Sequence, residues 1–109
     1  MIWFLRIAFS LVLVSMAAVT AWASRDVAIW EIPREVWTHP WFVATLFDTY
    51  FAFLTFWAWV AYKETSNVAR VTWLIGILLL GNFAIAAYML IQLGKLSPGD
   101  SLDKLLVRK

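Results

Sequence analysis

Asp48 is the residue of this sequence with the most chemical consequence, because the run around it, residues 41–62, is otherwise apolar, aromatic, Thr and Ala. A carboxyl carried deep into hydrocarbon is costly to ionise, so it is expected to face other protein or water, or to stay protonated as a hydrogen-bond donor. Trp41, Thr45, Asp48, Ala52, Thr55, Trp59 and Tyr62 recur at four- and three-residue spacing and make one helical stripe. The stripe is expected to face the rest of the protein, leaving Phe42, Val43, Phe53, Leu54, Phe56 and Val60 toward lipid. Asn82 is the second polar point in an apolar run. Along their helices Asp48 stands roughly 21 Å before Tyr62 and Asn82 roughly 18 Å after Arg70, which predicts similar heights. A hydrogen bond between them would contribute about 0.5–2 kcal/mol, either as part of a site or simply to fix helix register.

Other chemistry is sparse. There is no Cys, which excludes disulfides, thiolate metal sites and Cys nucleophiles. His39 is the one histidine, and with no Cys and no nearby carboxylate pair it is expected to be an interfacial residue beside Pro40 rather than a metal ligand. Glu64 lies about 24 Å from Asp48 on one helix, too far for a shared acid–base site within one chain. No catalytic residue, metal or cofactor is therefore expected. Trp30, Trp37, Trp41, His39, Lys63 and Glu64 are expected at the membrane interface, where an indole keeps its N–H wet and its body dry.

The elements that must position these residues follow from composition. Of 109 residues 63% are hydrophobic, well above the roughly 45–50% of an ordinary soluble domain. The net charge of +2 is too small to suggest nucleic-acid binding. Charges cluster between long apolar runs, which predicts an all-α integral membrane protein with three transmembrane helices over about 2–22, 41–62 and 71–94. The first run also has features of a signal peptide, but it is longer than a usual apolar core and is expected to stay as an uncleaved helix. Ser10, Val14, Ala17 and Ala21 offer it a narrow packing face. The 24–40 link is expected on the membrane surface, with Pro33 opening a short helix through Trp37. Thr65, Ser66 and Asn67 can cap the next helix. The tail SLDKLLVRK predicts a short C-terminal amphipathic helix, with Asp100 or Ser101 as cap, Leu102, Leu105 and Leu106 on one side, and Lys104, Arg108 and Lys109 toward phosphates.

Several ordered polar marks carry a resemblance. Asp48-Thr49-Tyr50, Trp59-Val60-Ala61-Tyr62-Lys63-Glu64 and the segment from Tyr88 through Gln92-Leu93-Gly94-Lys95-Leu96-Ser97-Pro98-Gly99-Asp100 resemble the small membrane family catalogued as domain of unknown function 1475. The first run and first link match it only in kind. The resemblance implies that Asp48 and the Tyr62-Lys63-Glu64 corner belong to a recurring helical unit, and it brings no activity with it.

The function these features favour is a non-catalytic accessory, assembly or structural subunit. Its partners would be the bilayer together with other membrane subunits or further copies of itself. The alternative is a binder or carrier of a lipid-like molecule such as an isoprenoid or quinone. Asp48 would anchor that molecule, Asn82 would orient it, and Thr45, Thr55, Trp59 and Tyr62 would form the wall. An intramembrane enzyme acting through Asp48 is a third possibility. With three spans, Arg6, Lys63 and Arg70 fall on one side, and Arg25, Arg34, Lys95, Lys104, Arg108 and Lys109 on the other, which places the C-terminus in the cytoplasm.

Overall fold

The structure, a computed structural model, describes residues 2–97 and 99–107. Pro98, and the tail charges Arg108 and Lys109, lie outside the described residues. The described chain is all-helical. It runs as α1 (Ile2–Asp26), a 3₁₀ turn (Ile29–Glu31), α2 (Arg34–Trp37), α3 (Pro40–Lys63), α4 (Asn67–Leu80), α5 (Asn82–Gly94) and α6 (Asp103–Leu106).

Local chemistry sets several of these boundaries. Pro33 immediately precedes α2, and His39 caps α3 by accepting from the Trp41 N–H through Nδ1 at 3.2 Å, with Pro40 in the first turn where its missing N–H costs nothing. Ser66 caps α4 by accepting from the Ala69 N–H at 3.4 Å. Among the described residues α1 and α3 are the two helices long and apolar enough to cross a membrane, judged by length and composition alone.

The continuous third span over 71–94 is not formed. The chain stops at Gly81, whose φ of 58° and ψ of −125° lie where only glycine is comfortable, and then doubles back. Trp73 of α4 and Tyr88 of α5 stack edge to face with ring centroids 4.9 Å apart, whereas one straight helix would separate these residues by roughly 22 Å. A β-carbon at Gly76 would stand 4.0 Å from that of Ala84, so α4 and α5 form a tight antiparallel hairpin. The missing side chain at Gly81 also admits the Phe53 ring, whose Cζ would lie 2.9 Å from an added β-carbon. Neither arm exceeds 14 residues, about 21 Å, so neither is long enough to cross a bilayer core of about 30 Å.

α1 packs along α5 and α3 along α4, which puts the hairpin between the two long helices. One core joins Phe53, Val60, Ile77, Ala84 and Tyr88; the second joins Ile2, Met89, Leu93 and Leu105. Two expected faces are corrected by this packing. α3 meets the hairpin through Phe53, Phe56, Trp57 and Val60, several of the residues expected to face lipid, because ring bulk fills the slot at Gly81 and the notch between the arms. α1 uses Ile2, Leu5 and Phe9, while Ser10, Val14, Ala17 and Ala21 stay exposed. The reversal also brings the start of α1, the end of α3, the end of α5 and α6 to one end of the molecule, here called the base.

Candidate functional site

The polar stripe of α3 divides between two surroundings. Its upper part, Thr45, Asp48, Ala52 and Thr55, is exposed and does not face the other helices. Both threonines donate back to their own helix, Thr45 Oγ1 to the Trp41 carbonyl at 2.8 Å and Thr55 Oγ1 to the Phe51 carbonyl at 2.9 Å. Asp48 makes no hydrogen bond or ion pair among the described residues. Asn82, at the start of α5 beside the hairpin tip, is likewise exposed, and the two are not bonded to each other. Tyr50, next to Asp48 but off its face, reaches α4 instead and donates to the Leu78 carbonyl at 3.3 Å. Trp59 and Tyr62 stand toward the base, so the wall expected around Asp48 is not gathered in one place. In the 24–40 link Trp30, Trp37 and Trp41 are exposed and His39 serves as a helix cap.

At the base, charged and aromatic residues converge. Tyr88 is fully buried, boxed edge to face by Phe56 at 6.1 Å, Trp59 at 5.7 Å and Trp73 at 4.9 Å, and its hydroxyl donates to Glu64 Oε2 at 2.9 Å. Around this box the cations act as caps for carbonyls that helix ends leave unpaired. Arg6 Nη2 donates to the Leu93 and Leu96 carbonyls at 3.0 and 2.8 Å, and Arg70 Nε to that of Ala61 at 2.8 Å. Lys63 Nζ donates to the carbonyls of Lys104, Leu105 and Val107. Trp59 Nε1 adds a bond to the Leu106 carbonyl at 3.0 Å.

The tail is therefore docked on the protein rather than simply laid on a membrane surface. Leu105 is buried against Ile2, Met89 and Leu93, and Leu102 packs beside it, while Leu106 is exposed. The expected cap is replaced by other bonds. Asp100 Oδ2 accepts from the Ser97 N–H at 2.8 Å, and Oδ1 pairs with Lys104 Nζ at 3.1 Å.

Between α3, α5 and the tail lies an open cavity of about 560 Å³, lined by Lys63, Glu64, Thr65, Gln92, Lys95, Leu96, Asp100 and Lys104. Gln92 is only 6% exposed. Lys95 is exposed and has no partner among the described residues. No cluster of three or more His, Cys, Asp or Glu able to hold a metal occurs among the described residues. Sequence reasoning placed Lys63 and Glu64 at the boundary but missed Tyr88 and Gln92 as a pair; their four-residue spacing inside an apolar run was the available signal.

The model of one family, described as "Protein of unknown function (DUF1475)", matches residues 1–109, and the chain belongs to that family. The match includes the first helix and first link, further than the motifs alone reach. No curated protein and no solved structure matches the chain. Two of the family-like segments, Tyr62-Lys63-Glu64 and Tyr88 through Asp100, meet at the basal cavity.

Proposed function

We propose that this member of the family is a small multi-pass membrane protein, non-catalytic, that associates with a second copy of itself through the Asp48 face of α3. In this arrangement α1 and α3 cross the bilayer, and the α4–α5 hairpin enters from the base and returns to it. The observation that carries the proposal is the exposure of Asp48 on a helix long and apolar enough to span. A central acidic side chain left against acyl chains costs about 2.5–3.5 kcal/mol on insertion scales, so another helix must cover it. The occupant is argued from the face itself. Thr45, Ala52 and Thr55 are small enough for two backbones to approach closely, and a face that meets its own copy forms a closed, two-fold contact.

The proposed orientation also follows from the reversal. Arg6, Lys63, Arg70, Lys95 and Lys104 stand at or near the base, against Arg25 and Arg34 near the other end, so the base and the chain end nearest it are assigned to the cytoplasm. Mass measurement in a mild detergent tests the association. Wild type should run as a dimer, and Asp48→Leu, which removes the cost of exposing the carboxyl, should run as a folded monomer. A wild-type chain that stays monomeric at every concentration sinks the proposal.

A further inference from the structure

Arg6 carries a charge that the fold holds in place without neutralising. Its Nη2 donates to the Leu93 and Leu96 carbonyls at 3.0 and 2.8 Å, and its guanidinium stands 4.9 Å from the centre of the Trp3 ring. Those partners are neutral, and Arg6 pairs with no carboxylate among the described residues. Nε and Nη1 make no bond among them, and the indole N–H of Trp3 makes none either. From this cation a shallow groove of about 300 Å³ runs along α1, lined by Trp3, Arg6, Ile7, Ser10, Leu11 and Val14. No acidic residue borders it, and the small side chain of Ser10 leaves it open between larger apolar ones. This face lies outside the core, which α1 enters through Ile2, Leu5 and Phe9. From Trp3 to Val14 the helix rises roughly 17 Å, close to half of a hydrocarbon core of about 30 Å. The groove therefore has the reach of one leaflet.

We infer that Arg6 and the groove beyond it bind one phospholipid of net negative charge, its phosphate on the guanidinium and one acyl chain along Ile7, Ser10, Leu11 and Val14. The inference rests on the membrane placement proposed above, which sets Trp3 and Arg6 at headgroup level in the cytoplasmic leaflet, where anionic lipids concentrate. It does not rest on association through α3. Charge complementarity selects the occupant. Nε and Nη1 donate charge-assisted hydrogen bonds to phosphate oxygens, and Nη2 keeps its two carbonyls, so the lipid is bound without disturbing the cap on α5. A zwitterionic headgroup would bring its ammonium to a guanidinium that repels it and to a wall with no carboxylate to receive it. A headgroup whose phosphate charge is not offset by an amine has neither cost.

The test loads the purified, delipidated full chain with an equimolar mixture of phosphatidylglycerol, phosphatidylethanolamine and phosphatidylcholine of identical acyl chains. Retained lipid is then read by native mass spectrometry. Phosphatidylglycerol should be retained about tenfold over each of the others, a difference of about 1.4 kcal/mol. Arg6→Gln should erase most of that preference, whereas Arg25→Gln, at the far end of α1, should leave it unchanged. Ser10 is exposed, so Ser10→Phe fills the groove with Arg6 still in place; it should lower phosphatidylglycerol retention several-fold, and it decides the matter if Arg6→Gln does not fold. Inorganic phosphate should not displace the lipid. Equal retention of the three lipids, an equal loss in Arg25→Gln, a preference that survives Ser10→Phe, or displacement by phosphate overturns the inference. Alkaline carbonate extraction scores the membrane placement separately: release of the chain contradicts that placement, whereas an embedded chain without lipid preference contradicts only the site.

Discussion

Replacing Gly81 by alanine should unsettle the reversal between α4 and α5 more than the same change at any of the other three glycines. Gly81 holds φ 58° and ψ −125°, a conformation that costs a residue with a β-carbon about 1–3 kcal/mol. The new methyl would also stand 2.9 Å from Cζ and 3.2 Å from Cε2 of Phe53. That ring has little freedom to retreat, since it is 8% exposed, packs in the core with Val60 and Ile77, and meets Tyr50 edge to face at 5.5 Å. Overpacking of this kind costs about 1–3 kcal/mol. The two effects together disfavour the hairpin by about 2–6 kcal/mol, at least a 30-fold shift toward any state in which residue 81 is helical. The competing state is one continuous helix from Asn67 to Gly94, roughly 42 Å long and able to cross a bilayer. The chain lacks Cys, so Ser66→Cys and Ser101→Cys can each serve as a sole reporter for a membrane-impermeant maleimide. Both positions should label from the same side in the otherwise unaltered chain. With Gly81→Ala, position 101 should become accessible from the opposite side in part of the population, and the thermal midpoint in detergent should fall. Unchanged labelling together with an unchanged midpoint would refute this reasoning.

Three further outcomes follow from the base and the stripe. Tyr88→Phe removes the bond to Glu64 while keeping the ring, and should destabilise the detergent-solubilised chain by about 1–2 kcal/mol; Tyr88→Ala should cost about 3–5 kcal/mol by emptying the aromatic box, as read by thermal unfolding. Lys63→Met withdraws the cation that ties the tail carbonyls, so limited trypsin digestion should cut after Lys104 several times faster than in wild type. Asp48→Asn should shift unfolding of the monomer by no more than about 0.5 kcal/mol, because Asp48 is exposed and makes no bond within the described chain; a large loss would show that it supports its own fold.

The long helices α1 and α3 were legible because length and apolar content agree there, with Pro40 marking the start of α3; Pro33 marks the start of the short α2. Ser66 likewise announced the start of α4. The reversal at Gly81 was not legible, because Gly81-Asn82 is a single turn-forming pair inside an otherwise apolar run, with Leu78-Leu79-Leu80 before it and Phe83-Ala84-Ile85 after it. The geometry depends on one absent side chain meeting Phe53, a residue distant in sequence. The wheel of α3 misjudged which face would pack within the chain. Polarity sets which residues avoid lipid, whereas contact with the hairpin was decided by the shapes of Phe53, Phe56, Trp57 and Val60. At the base, the charges of Arg6, Lys63 and Glu64 were visible, but their partners are carbonyls and a phenol far along the chain, and no local pattern encodes such long-range pairs.

The reversal is the feature on which the base, its cavity and the proposed orientation depend, and one crosslink tests it directly. In the Cys-free chain, Gly76→Cys and Ala84→Cys would place two β-carbons about 4.0 Å apart, within the roughly 3.5–4.5 Å that a disulfide requires. A straight helix would hold the same positions roughly 12 Å apart along its axis. Mild oxidation should therefore close an intramolecular disulfide nearly completely, read as loss of two hydrogens in mass and of maleimide reactivity. Two thiols that remain separately reactive after oxidation would contradict the hairpin.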